Sequence, residues 1–300
     1  MNILLTGANG FLGAIIKNEL LDDNNNIITL SRTNSDYKIL LEAEIPFFNE
    51  TFDLVIHAAG KAHSVPKTEI EKRNFYDVNV LGTLNLLKGL EKIKLPKEFV
   101  FISSVAVYGQ EIGTKIDESY SLKASDPYGL SKIEAENIIL NWCERNGIIC
   151  TILRLPLLVG KNPPGNLGAM IKAIDKGYYF NIDGGKARKS MVLAKDVASL
   201  IKSASSIGGT YNLTDGFNPS FNELSLAISK NRNKKPPFNL PKILAISIGK
   251  LGDFLGSKAP LNSSKLRKIT LDLTFDDSKA RKLLNWNPQS VLNFINNNQI

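Results

Sequence analysis

The segment Thr6-Gly7-Ala8-Asn9-Gly10-Phe11-Leu12-Gly13 limits what this chain can fold into more than any other. Its three glycines, at positions 7, 10 and 13, follow an apolar run from Met1 to Leu5. They open a stretch with apolar residues at 11, 12, 15, 16 and 20. The run reads as a strand and the stretch as the stripe of a helix. A strand that turns at once into a helix needs a residue without a Cβ at the bend. The same lack of a Cβ lets the backbone approach a pyrophosphate and lets the helix pack closely on its strand. Amides at the helix N-terminus then form an anion site. Gly7, Asn9, Gly10, Phe11, Leu12 and Gly13 are the expected contacts to a dinucleotide.

The alternation continues. Ile27–Leu30, Phe52–His57, Phe99–Ser103 and Ile148–Leu153 read as further apolar strands, and Asn74–Glu91 as a long helix. Asp126-Pro127 opens another helix with an N-cap and a proline at the first helical position, and Gly147 closes it. Strands this apolar, spaced by helices, predict a parallel sheet covered on both faces with right-handed crossovers. One strand, within 37–48, is poorly marked. Beyond residue 155 prolines and glycines cluster over 156–168, Ser220-x-x-Glu223 forms a capping box, and 231–237 reads as a basic linker. The expected fold is α/β, a Rossmann-like doubly wound parallel sheet with a smaller C-terminal α/β substrate lobe. Residues 1–155 would form the dinucleotide-binding domain, and 156–300 mostly the smaller lobe, with some elements returning to the sheet.

Two further places carry chemistry. At the end of the second strand a carboxylate would bind the adenosine ribose hydroxyls of NAD. This chain has Ser31-Arg32 there. A hydroxyl and a guanidinium suit a 2′-phosphate, so NADP(H) is favoured over NAD(H). Tyr128 and Lys132 stand four apart on one helix face. A neighbouring ammonium favours the phenolate, so Lys132 is expected to lower the Tyr128 pKa and fit it for proton transfer during hydride chemistry. Ser104, at the end of a sheet strand, is placed to hold the same substrate oxygen.

Together these segments resemble the extended short-chain dehydrogenase/reductases, in the nucleotide-sugar epimerase/dehydratase branch. Gly7-x-x-Gly10-x-x-Gly13 matches the family's cofactor loop, and His57-Ala58-Ala59-Gly60 the segment that lies along the cofactor. Asn79-Val80-Leu81-Gly82-Thr83 matches a helix of the family, Ser103-Ser104 its catalytic strand, and Tyr128 with Lys132 its acid/base pair. Leu284-Asn285-Trp286-Asn287-Pro288 is similar to its C-terminal motif. The resemblance implies that Ala58, Ala59, Gly60, Asn79 and Lys132 line the cofactor. It implies that Asn166, Leu167, Arg188 and Lys189 meet the diphosphate of a nucleotide-diphosphate sugar, with His63 a candidate substrate contact. It also implies a homodimer formed through the helices carrying Asn79 and Tyr128.

Departures narrow the chemistry. Val105-Ala106 stands where a 4,6-dehydratase would carry Asp-Glu, which argues against dehydration. Arg154-Leu155-Pro156-Leu157 lacks the asparagine of the 4-epimerase pattern and is closer to 4-keto-sugar reductases. The first expectation is therefore a 4-keto-sugar reductase. The alternatives are a 4-epimerase and a non-catalytic NADP(H)-sensing protein. The formal charge of +8 and pI near 9.3 suit anionic ligands in general. The basic residues near 230–235 have no interleaved aromatics to stack bases, which argues against a nucleic-acid partner. No apolar run approaches the ~20 residues of a membrane span. Cys143 and Cys150 form no CxxC and read as thiols of a reducing, cytoplasmic compartment, with no metal site.

Overall fold

The computed structural model describes residues 1–300 except 22–24, 63–64, 256–261 and 298–299. Seven strands form the central sheet: β1 (Asn2–Thr6), β2 (Asn26–Ser31), β3 (Tyr37–Lys38), β4 (Leu54–His57), β5 (Glu98–Ser104), β6 (Ile149–Leu155) and β7 (Gly209–Asn212). Their spatial order is β7-β6-β5-β4-β1-β2-β3, and every pairing is parallel. The order reverses between β1 and β4, so a crevice opens there beyond the carboxyl ends of the strands. The weakly marked strand of the sequence is β3, an edge strand of two residues.

Helices α1 (Phe11–Leu21), α2 (Glu69–Tyr76), α3 (Gly82–Leu90) and α4 (Pro127–Asn146) belong to the first half. The second half carries α5 (Gly165–Asp175), α6 (Ala194–Ser205), α7 (Phe221–Asn231), α8 (Lys242–Leu255) and α9 (Ser263–Thr270). Side chains alternate along each strand, and here both faces are buried. Ile3 and Leu5 pack with Leu12, Ile16, Val197, Ile201 and Trp286 on one side, and Leu4 with Val55, Leu86, Leu90, Phe101 and Trp142 on the other. Each such side chain contributes roughly 1.5–3 kcal/mol by leaving water. A third apolar cluster, around Leu167, Met170, Leu193 and Ile228, forms the centre of the second half.

The caps expected from sequence are formed. Asp126 accepts from the amides of Tyr128 and Gly129, Gly147 ends α4 with a positive φ of 65°, and Ser220 with Glu223 completes a capping box on α7. The expected long helix over 74–91 is α2 and α3 joined by a wide π-helical turn, Asp77–Leu81. Cys143 is buried and Cys150 half-buried, and both are free thiols. Among the described residues no helix is long and apolar enough to cross a membrane.

Candidate active site

Gly7 leaves β1 with φ of 73°, and a Cβ added to it would lie 2.6 Å from the Ala59 nitrogen. A Cβ on Gly13 would lie 2.0 Å from the Gly7 carbonyl oxygen. The turn therefore admits only glycine at both places, which is the close backbone approach a pyrophosphate requires. Leu12 is buried in the core, so it offers the crevice a backbone amide and not its side chain. Phe11 packs partly into the same core. Gly7, Asn9 and Gly10 line a cleft with Ser31, Arg32, Ala58, Ala59 and Gly60. These residues fit a dinucleotide. The Asn9 amide donates to the Ser31 hydroxyl at 2.7 Å, and that hydroxyl donates to the Thr33 carbonyl at 2.7 Å. Glu42, Ile39, Leu41 and Val78 also line the cleft and were not expected from sequence. Glu42 is the one carboxylate among these lining residues, and it comes from the weakly patterned 37–48 region.

Behind the cleft runs a buried chain of polar groups. The Ala59 amide donates to Thr6 Oγ1 at 3.1 Å, which meets His57 Nδ1 at 2.7 Å. His57 Nε2 meets Thr83 Oγ1 at 2.9 Å, and that hydroxyl donates to the Asn79 carbonyl. Each hydroxyl has one proton to give, so Thr83 accepts from His57 and Thr6 donates to it. The imidazole is thus fixed as the neutral tautomer protonated on Nε2. Burial agrees, pushing the His57 pKa down to about 3. Asn79, on the wide turn, accepts from the Lys61 amide at 2.7 Å and donates to the Lys61 carbonyl and to Ser131 Oγ. It ties the loop after β4 to α4. A wide turn of this kind is frequently found at functional sites.

Ser104 ends β5, and Tyr128 stands in the first turn of α4. The two elements are pressed together: a Cβ on Gly129 would lie 2.8 Å from the Ala106 carbonyl oxygen. Ser104 faces the Tyr128 phenol and favours its ionised form, yet burial outweighs this and holds the phenol above its ordinary pKa. The expected lowering by Lys132 is not found, because the Lys132 ammonium is directed elsewhere. It donates to the Ile102 carbonyl at 2.9 Å and sits 4.5 Å above the Phe101 ring. A Cβ on Gly60 would lie 3.3 Å from its Nζ and 3.1 Å from Asn79 Oδ1, so Gly60, Asn79 and Lys132 meet at one point. Burial lowers the Lys132 pKa to about 8, with Glu136 opposing.

Glu136 lies one turn further along α4. It accepts two hydrogen bonds from Arg154, at 3.1 and 2.7 Å, and another from Ser103. Arg154 also donates to Tyr108 Oη at 3.1 Å, and that hydroxyl donates to Asn212 at 2.8 Å. Arg154 is therefore spent inside the protein. Its bonds give the arginine of the Arg154-Leu155-Pro156-Leu157 motif a structural part and leave the distinction between reductase and epimerase, which rests on Leu157 in place of asparagine, untouched. Glu136, Tyr108 and Asn212 were not singled out from sequence. An acidic residue four after the lysine on the same helix was the available signal.

The second-half residues are less convergent. Asn166 is exposed in the first turn of α5, whereas Leu167 is a core residue and can offer only its amide. Arg188 is exposed, pairs with Glu223 at 3.3 Å and donates to the Asn218 carbonyl. Lys189 is half-buried and donates to the Leu271 carbonyl at 3.0 Å, and burial lowers its pKa. Both cations already have partners that a diphosphate would have to displace. His63 lies outside the described residues.

A parallel sheet with its glycine turn at the switch point, and Ser104, Tyr128 and Lys132 beside it, defines a nicotinamide-dependent α/β enzyme. The model of the NAD-dependent epimerase/dehydratase family matches residues 3–213, and the chain belongs to that family. It is 29% identical to N-acetyl-alpha-D-glucosaminyl-diphospho-ditrans,octacis-undecaprenol 4-epimerase of Escherichia coli O157:H7, over 93% of this chain and 88% of that one. It is 28% identical to UDP-glucose 4-epimerase of Vibrio cholerae, over 97% and 92%. The fold is similar to that of the UDP-glucose 4-epimerase from Thermotoga maritima solved with UDP-glucose, with a TM-score of 0.77 and 20% identity over 99% and 96% of the chains.

Proposed function

We propose that the protein is a 4-epimerase of a diphosphate-linked sugar, with a nicotinamide dinucleotide retained in the cleft. This reverses the order expected from sequence, where a 4-keto-sugar reductase came first. The observation that carries it is the full-length likeness to two 4-epimerases, together with a Ser104/Tyr128/Lys132 arrangement that serves epimerisation as well as reduction. The nicotinamide ring supplies reversible hydride acceptance at C4. Tyr128 Oη takes the proton of the C4 hydroxyl and later returns it to the same oxygen, and Ser104 Oγ holds that oxygen. A phenol kept protonated by burial is the competent acid for the return step. In the forward step the Ser104 hydroxyl is the group that favours the phenolate, while Lys132, held by the Ile102 carbonyl beside Gly60 and Asn79, lines the cofactor side of the site.

Backbone amides at the start of α5 and the exposed Asn166 are the proposed diphosphate contacts, joined by Arg188 once Glu223 releases it. The two curated relatives act, by their names, on different carriers, an undecaprenol diphosphate and UDP. The common element is a diphosphate on the sugar. Arg32 lines the cofactor cleft, and no carboxylate stands at the end of β2, so acceptance of NADP(H) remains part of the proposal. Ile70, Tyr76 and Leu130, exposed on α2 and α4, support a homodimer through those helices.

Incubation with a panel of UDP-, dTDP- and polyprenyl-diphosphate sugars tests the reading. The expected result is exchange of C4 stereoisomers without net cofactor consumption. Stoichiometric oxidation of NADPH on 4-keto sugars, with no isomer exchange, overturns it in favour of the reductase. In the Arg32→Ala variant NADPH binding weakens by roughly tenfold and NADH binding does not. Equal loss of both removes the 2′-phosphate argument.

A further inference from the structure

Helix α8 is built inside out. Among the described side-chain positions of α8, those it buries are Ala245, Gly249 and Gly252, spaced four and three apart. The large aliphatic residues Ile243, Leu244, Ile246, Ile248 and Leu251 are exposed, Ile243 at 78% and Leu251 at 68%. An ordinary surface helix turns its large apolar residues to the core. Here the small ones seat the helix on Ile182 and Leu266, and the large ones face out. The apolar surface extends beyond the helix. Ile248 shares a cleft of about 420 Å³ with Tyr178, Phe180 and Ile269. Phe180 pairs in register with Phe238, and both rings are exposed. Contiguous exposed apolar surface of this kind marks an interaction site.

The charge is distributed with it. Residues 230–270 contain ten lysines and arginines and one aspartate. The rest of the chain has twenty-seven basic residues against twenty-eight acidic ones. The whole positive excess of the protein therefore belongs to the segment around α8, and the crevice does not account for it. Lys234, Lys235, Lys242 and Lys250 are exposed beside the aliphatic face.

We propose that α8 and its basic flanks dock the protein on an anionic lipid bilayer, with the aliphatic face among the acyl chains and the lysines at the headgroups. An apolar face rimmed by lysine is the pattern of a helix lying in the interface plane, and clustered basic residues add attraction to anionic lipid. A second copy of this surface is disfavoured, since two such segments repel. A nucleic acid is disfavoured because the described outward side chains of α8 are large aliphatics, which a solvated phosphate backbone would not cover. The inference does not rest on the epimerase reading, because it concerns partitioning and not turnover.

Co-sedimentation of the full chain with phosphatidylcholine vesicles, with and without about one-third phosphatidylglycerol, tests it. The protein is expected to pellet with the anionic vesicles and to be released progressively by salt. Ile243→Asp with Leu251→Asp should lower the partition coefficient at least tenfold, as should Lys234→Glu with Lys235→Glu and Lys250→Glu, each by about that order. Phe47→Asp, a comparably exposed apolar site at 71% before β4, should bind as wild type. Thermal melts of every variant check that the fold is intact. Failure of the wild type to pellet with anionic vesicles overturns the proposal, as does loss of binding in Phe47→Asp equal to that of the α8 variant. A wild type that ignores vesicles and loses an oligomeric state in the α8 variant assigns the face to a second copy instead.

Discussion

Helices α4 and α8 invert one another. The first buries polar groups, Ser131, Lys132 and Glu136, in the interior of the sheet domain. The second exposes the apolar side chains that a core would ordinarily claim. Both break the rule that apolar residues go inside, and each break has a structural cost that something else offsets. In α4 the buried charges are matched by Arg154, by the Ile102 carbonyl and by the Phe101 ring. In α8 no matching group is supplied from within the described chain. The difference teaches where to look: the first anomaly is closed internally and points to chemistry, and the second is open and points to a partner.

The largest expected effect lies on the α4 side. Tyr128→Phe should reduce turnover by about 10³-fold, within the range for loss of a general acid/base. The cofactor dissociation constant should stay within about twofold, since the dinucleotide cradle is formed by β1, α1 and the loop after β4. Retained turnover removes the proton-transfer role. Next is Glu136→Ala, which leaves Arg154 buried without its carboxylate. The cost should be about 3–5 kcal/mol in urea unfolding. A change below 1 kcal/mol would mean that water or another acceptor replaces the carboxylate, and that α4 is not internally closed.

Lys132 gives a pH signature. Its folded pKa is about 8 against the ordinary lysine value of 10.5, so the unfolded chain binds more protons between them. Stability contributed by this group therefore rises with pH across that window and is lost again as pH falls through 8. The Lys132→Met protein should show no such term, and the difference between the two should change by about 3 kcal/mol between pH 7 and 10.5. A pH-independent difference would place the ammonium in contact with water.

The sequence made α4 legible because its signals are local. Asp126, Pro127, the Tyr/Lys spacing and Gly147 all act within one helix, and the glycine turn acts between two adjacent elements. What stayed hidden was set by distant partners. Lys132 could be read as the neighbour of Tyr128, but that Ile102 and Phe101 would take its charge depends on how β5 lies under α4. Arg154 stands in a motif read for specificity, but Glu136 on α4 and Tyr108, itself bonded to Asn212 of β7, hold its side chain inside the protein. Glu42 could not be found from a region whose strand has two residues. The net charge of +8 was legible from the start, but its concentration around α8 acquired meaning only when that helix proved to face outward.

The smallest expected effect sharpens the comparison most on the α8 side. If the outward aliphatic residues contribute nothing to the fold, Ile243→Ser with Leu251→Ser should change unfolding stability by no more than about 0.5 kcal/mol, the usual scale of a surface change. Turnover of a water-soluble nucleotide sugar should be unaltered. The inward position gives the contrast. Ala245 is fully buried against Ile182 and Leu266, and Ala245→Leu adds three carbons to a closed contact. It should cost about 1–3 kcal/mol by overpacking. Urea titration of the two variants side by side reads this directly. Were the serine pair to cost as much as the leucine, the exposed face would be covered by protein in solution. The inversion between α4 and α8 would then be one of partners within the same chain or its copies, and not of chemistry against surface.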